Sequence, residues 1–143
     1  MLVATHMLAA SAIFQLSSVR AISGTKKAVA LPIVFIGCLY SHFALDAVPH
    51  YELQMLANIG IGSIVIAFLF HIAWHTKDMF ILAAACFGAL PDVMWVLKIS
   101  PEFDTIHSFL HSAMRNVPAY ALGFELLGLL LLFYINYLCK SRI

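Results

Sequence analysis

Apolar residues in this chain come in blocks that are too long and too unbroken for helices with one wet face. Four of them, Ala28–Val48, Asn58–His75, Met79–Leu97 and Pro118–Cys139, match or approach the roughly 20 residues a membrane-spanning helix needs. Pro118 suits the first turn of the last one, where a missing N–H costs nothing. The opening stretch, Leu2–Ser18, is shorter and carries Thr5, His6, Gln15 and several serines. It is expected either to span or to dip in as a half-helix. It has no positively charged lead, so it reads as a retained segment rather than a cleaved signal. Ser23–Lys27 is a turn. No repeat, low-complexity run or long linker interrupts the pattern. The pattern therefore predicts one all-α domain over 1–143. It is an integral membrane helical bundle of four transmembrane helices plus an N-terminal transmembrane or re-entrant helix.

Composition sharpens this picture. Hydrophobic residues make up 63% and charged residues 10%, against roughly 45–50% and 25% in a soluble domain. Mean hydropathy is +0.96. A disordered chain, a disulfide scaffold and a DNA-binding domain are excluded. A net charge of +1 gives nucleic acid no basic patch to bind. Cys38, Cys86 and Cys139 lie within apolar runs without C-x-x-C spacing and read as small hydrophobes. Counting Lys and Arg in the short loops sets the orientation. Arg20, Lys26, Lys27, Lys77, Lys140 and Arg142 fall on one side, Lys98 and Arg115 on the other. The first group is predicted to be cytoplasmic. The 49–57 and 98–117 loops then face outward.

The ionisable residues inside the spans need a reason, because each costs roughly 2.5–3.5 kcal/mol on insertion scales. His6 opens the first segment. His42 and Asp46 occupy the outer third of Ala28–Val48, and His50 follows Pro49. Asp92 lies roughly 7–8 Å and Glu125 roughly 10 Å below the outer ends of their helices. His107 and His111 belong to the 98–117 loop. All eight fall at one level, on the outer side. His42–Asp46 and His107–His111 are i,i+4 pairs, able to grip one ion from one helix face. Imidazole and carboxylate suit zinc, and a cation removes the cost of burying an aspartate. His6, His42, Asp46, His50, Asp92, His107 and His111 are therefore the candidate ligands, enough for one ion or two. Any one of these histidines alone reads more simply as a hydrogen-bonded core residue; their convergence makes the case. Glu125 is left as a base, a ligand or an interhelical hydrogen-bond partner. His71 and His75 share the i,i+4 spacing but sit at the cytoplasmic end and read as a polar helix end. Glu52 reads as a solvated loop charge. Arg115 reads equally as a phosphate clamp or an interfacial anchor. Trp74, Trp95, Tyr51 and Tyr120 read as interfacial aromatics.

Four phrases resemble the membrane-bound metal-dependent hydrolases of the YdjM type. They are Thr5-His6, SHFALDAVPHYE (Ser41–Glu52), GALPDVMW (Gly88–Trp95) and HSFLHS (His107–Ser112). His42-Phe43-x-x-Asp46-x-x-Pro49-His50 is also similar to a ligand segment of the zinc-dependent phospholipase C and single-strand nuclease superfamily. The resemblance implies a hydrolase acting on a phosphoester. It implies zinc, one or two ions, with manganese as the alternative. Asp46, Asp92 and Glu125 would be its catalytic carboxylates, with Asp46 or Asp92 bridging or orienting and Glu125 taking the proton. The depth of the cluster points to a lipid or lipid-linked phosphate, and the resemblance points to a bacterial-type inner membrane. Three other readings compete. A b-type haem protein is disfavoured by the aspartates beside the histidines. A metal or proton transporter is disfavoured by apolar helix middles such as Ile59–Phe70 and Leu126–Phe133. The third is an accessory subunit of a larger membrane complex. A homo-oligomer is compatible with all of these.

Overall fold

The computed structural model describes residues 2–51, 53–113, 117–118 and 120–140, and for 110–113 the backbone alone. The described residues are all-helical. The order is α1 (Val3–Leu16), a single 3-10 turn (Ser18–Arg20), α2 (Gly24–Asp46), α3 (Met55–Thr76), α4 (Phe80–Val96), α5 (Pro101–Ala113) and α6 (Ala121–Lys140). Helices α2, α3 and α6 are each long and apolar enough to cross a membrane. α4 and α5 pass the same test together but bend by 108° at the break between them.

The sequence's weakest segment is the centre of the bundle. α1 packs against α2, α3, α4 and α6. Ala4, Leu8, Ala10 and Phe14 on it are fully buried, and so are His6 and Ser11. Its polar residues are what made it look unlike a span, and they face protein rather than lipid. Ser11 Oγ donates to Asn136 Oδ1 at 2.7 Å, and Gln15 Nε2 donates to the same oxygen at 2.6 Å. Asn136 Nδ2 donates to the carbonyls of Leu8 and Leu132. Water cannot satisfy such groups at this depth, so pairing between helices must do it. The outer helices carry apolar surface all round instead: Ile33, Ile36, Ile64, Ile66, Leu127 and Leu130 are exposed, as expected of side chains facing acyl chains.

The chain alternates between two ends. At one end, Arg20 Nε lies 3.0 Å from Asp78 Oδ2, tying the α1–α2 connection to the α3–α4 turn. Lys77 takes the left-handed conformation that closes α3, and Asp78 Oδ1 accepts the Phe80 N–H. At the other end, the start of α1 is capped by distant residues. Leu2 N–H donates to Glu125 Oε1 at 2.6 Å and Val3 N–H to Asn58 Oδ1 at 3.1 Å. These two donors have no partner inside the helix, and α6 and α3 supply one each.

One close approach decides how α1 and α4 fit. A Cβ at Gly88 would stand 2.6 Å from both the His6 carbonyl oxygen and Ala10 Cβ. Only glycine lets the two backbones meet there. The segment 98–117, expected as a loop, differs from that reading because it contains α5. Ser100 opens the helix: its hydroxyl accepts the Phe103 N–H at 3.3 Å. Pro101 follows at the first helical position, and Glu102 and Asp104 sit in the first turn. All three features favour a helix start.

Candidate metal centre

Five of the candidate ligands meet at the end of the bundle opposite Arg20 and Asp78. α1 brings His6, the last turns of α2 bring His42 and Asp46, α4 brings Asp92 and α5 brings His107. Two overlapping groups place their ligand atoms within metal-holding distance: His6, His42 and Asp46, and His42, Asp92 and His107. His6, His42, Asp46 and His107 are fully buried, while the Asp92 side chain is 21% exposed and forms the open edge.

Asp46 is the hub. Its Oδ1 lies 3.2 Å from His6 Nε2. Its Oδ2 lies 3.0 Å from His42 Nε2 and 3.3 Å from His107 Nε2. Asp92 Oδ1 stands 3.7 Å from His42 Nε2 and 3.5 Å from His107 Nε2. The two imidazole nitrogens are themselves 3.2 Å apart. The His6 and His42 rings stack at 3.8 Å.

His42 Nδ1 lies 2.7 Å from the Gly88 carbonyl oxygen, which can only accept. Nδ1 therefore carries the proton, and in the neutral ring Nε2 is a bare lone pair. Asp46 Oδ2, Asp92 Oδ1 and His107 Nε2 lie 3.0, 3.7 and 3.2 Å from that nitrogen. With both carboxylates ionised, at least three of these four atoms present a lone pair. A divalent cation suits the gap. Donors about 2.0–2.1 Å from a tetrahedral zinc lie about 3.3 Å from one another. The distances of the two imidazole nitrogens from each other and from the Asp46 and Asp92 oxygens run from 3.0 to 3.7 Å. Two carboxylates and neutral imidazoles around a dication also leave no net charge in a poorly solvated place.

The surroundings hold these groups in place. The Gly88 carbonyl fixes the tautomer of His42, as ligand histidines are commonly fixed. Trp95 packs edge-on against His107 at 5.6 Å, and Phe103 stacks on it at 6.0 Å. His6 sets the other carboxylate oxygen of Asp46. The sequence singled out neither Gly88 nor Trp95 for a role here. Gly88 acts through its backbone, which carries no residue-type signal, and Trp95 looked like an ordinary interfacial aromatic.

The other candidates fall as follows. His50 is buried just beyond α2, with Nδ1 2.8 Å from the Val48 carbonyl. It belongs to neither group among the described residues. Glu125 is buried, but its contact is with the N-terminus of α1 rather than with the cluster. Of its three readings, the geometry matches the interhelical hydrogen bond. The side chain of His111, together with Glu52 and Arg115, lies outside the described residues. His71 and His75 are exposed at the opposite end, with Lys140 Nζ 3.3 Å from His71 Nε2.

No family model, no curated protein and no solved structure matches this chain. The site therefore rests on its own geometry.

Proposed function

We propose that this protein is a membrane-embedded, metal-dependent hydrolase. In this reading it acts on a phosphoester, a lipid or lipid-linked phosphate in the outer leaflet of a bacterial-type inner membrane. One observation supports the proposal: the Nε2 atoms of His42 and His107, 3.2 Å apart, each lie within 3.7 Å of one oxygen of Asp46 and one of Asp92. Zinc is the ion that the donor set suits, with manganese the alternative. Bound there, the ion would polarise a phosphoryl oxygen and lower the pKa of water enough for attack near neutral pH.

The chain's own groups then divide the work. His42, Asp46 and His107 are sealed from solvent and hold the ion. Asp92 lines the open edge, where an incoming phosphate and a water must pass. It is the carboxylate placed to take the proton of the attacking water. Glu125 keeps α1, and with it His6, seated. The depth of the site favours a lipid substrate. A phosphate already held at the membrane surface reaches Asp92 by lateral diffusion, whereas a soluble ester would have to descend between helices.

Purified protein should contain zinc or manganese by elemental analysis and should release phosphate or a headgroup from phospholipid or polyprenyl phosphate. Asp46→Ala should insert normally and lose both metal and activity, while His71→Ala should keep both. Metal-free wild-type protein defeats the proposal. Metal without cleavage, in a preparation carrying stoichiometric partners, moves the reading to an accessory subunit.

A further inference from the structure

The end of the bundle away from the ligand cluster has an unbalanced charge. Arg20, Lys26, Lys27, Lys77 and Lys140 gather there. Among the described residues the one acid at this end is Asp78, and it is already paired with Arg20 at 3.0 Å. Lys27 and Lys77 lie over the Phe80 and Trp74 rings. Lys140 differs from them because it reaches another helix: its Nζ stands 3.3 Å from Nε2 of His71 on α3. An ammonium can only donate, so His71 Nε2 accepts and Nδ1 carries the ring proton. The pair is left with N–H donors only. His75, one turn further along α3, is also exposed, with its ring 6.2 Å from that of His71.

These groups close a seam between α3 and α6. With 3.6 residues per turn, Leu126, Leu130, Phe133, Tyr137 and Lys140 fall within about 80° of arc on α6. Ile64, Phe68, His71 and His75 fall within about 60° on α3, and no other residue of either stretch enters these arcs. The two strips meet twice: the Phe68 and Phe133 rings lie 4.7 Å apart, and His71 meets Lys140. Ile64, Leu126, Leu130 and Tyr137 stay exposed beside those contacts. Both contacts occur in the same order along the two helices. Each strip is therefore apolar toward the middle of the bundle and ends in nitrogen donors at its surface. A molecule that matches both has an apolar tail and an anionic head.

We propose that the α3–α6 seam seats one anionic phospholipid, with its phosphate on Lys140 and His71 and an acyl chain along Ile64 and Leu130. Basic sites between transmembrane helices take phospholipid head groups in this way. The Tyr137 ring lies 5.9 Å from the Lys140 ammonium, and a tyrosine beside a lysine sits at the level of the head groups. The excess of cations at this end supplies attraction for any anionic lipid. The Lys140–His71 pair, set above an apolar strip on each helix, supplies a place for one. The seat shares no residue with the metal cluster and stands or falls apart from it.

The test uses the intact protein in nanodiscs of equal phosphatidylcholine and phosphatidylglycerol. After release, native mass spectrometry counts the lipids that stay bound. Wild type should retain one phosphatidylglycerol in preference to phosphatidylcholine. Lys140→Gln should cut that preference by about fivefold, the effect of removing one cation at a lipid surface. His71→Ala, at an exposed position, should lower it in the same direction, so the outcome does not depend on one variant. Lys26→Gln should leave it near wild type, because Lys26 is on α2, which touches neither α3 nor α6 among the described residues. Equal retention of the two lipids, or an equal loss in Lys26→Gln, overturns the seat and leaves a diffuse cationic surface. Position is read separately with phosphatidylglycerol that carries a photoreactive acyl chain. Labelling at Ile64 and Leu130 should be suppressed by excess plain phosphatidylglycerol and not by phosphatidylcholine. Suppression by both lipids alike overturns the seam as the position. Millimolar inorganic phosphate should not displace the lipid; displacement overturns the lipid and makes the pair a site for free phosphate.

Discussion

Gly88 shows how much of this site depends on atoms that no side-chain inventory reveals. Its missing Cβ lets α4 touch the His6 carbonyl, and its own carbonyl accepts the hydrogen bond from Nδ1–H that sets His42. α1 with His6 and α2 with His42 are therefore both positioned through one residue of α4. Gly88→Ala should force α1 and α4 apart at the level of the site. Overpacking of this kind costs about 1–3 kcal/mol, and the same shift misaligns His6 and His42. Thermal unfolding in detergent should show the lower stability, and elemental analysis should show reduced metal. A variant with unchanged stability and full metal would mean the helices meet elsewhere. Acid should act on the same atoms. An imidazole binds an ion only when neutral and a carboxylate only when ionised, so protons compete with the ion at every ligand. Metal affinity measured between about pH 8 and about pH 5 should fall steadily toward acid, more steeply than a single titrating ligand allows. Flat affinity across that range would argue against imidazole ligation.

At the scale of the helix, α1 is the element the sequence described least well. The four long apolar blocks announced α2, α3, α4 and α6 within a few residues, because lipid-facing helices must be apolar all round. α1 faces protein on most sides, with Ile13 and Leu16 its exposed residues, so its surface obeys a different rule, and Thr5, Ser11 and Gln15 diluted the signal. α5 was hidden for a related reason. A short helix at an interface has mixed edges, and only the Ser100–Pro101 start announced it. The level of the ligands was legible, since depth follows from counting residues along each block. Which of them meet was not. His50 and Glu125 share that level with His42 and Asp46, yet the direction in which each points depends on how the helices are rotated. Rotation also separates the two polar faces of α1. His6 and Ser11 are five positions apart, about 140° around the axis, so the Ser11–Gln15–Asn136 network points away from the ligand cluster. It clamps α1 to α6. Asn136→Leu should accordingly lower stability by roughly 1–2 kcal/mol and leave the metal in place once the protein is folded. Loss of metal at unchanged stability would instead make the network part of the site.

For the whole molecule, the two ends differ in chemistry as well as position. Arg20, Lys26, Lys27, Lys77 and Lys140 collect at the end where α1 finishes and α4 begins. The ligand cluster lies at the other end, beside the starts of α1, α3 and α6. Cationic loops tend to be retained in the cytoplasm, and the outward orientation proposed for the cluster rests on that bias. This ties a property of the loops to a property of the site, although the two share no residue. A membrane-impermeant chelator should therefore strip the ion from protein in right-side-out vesicles through the partly exposed edge at Asp92. In inverted vesicles the same chelator should do little until detergent is added. The difference is read directly as residual metal per protein after washing. Stripping that is faster in inverted vesicles would place the cluster on the cytoplasmic face. A substrate drawn from the outer leaflet would then be untenable, because Asp92 would open onto the wrong one.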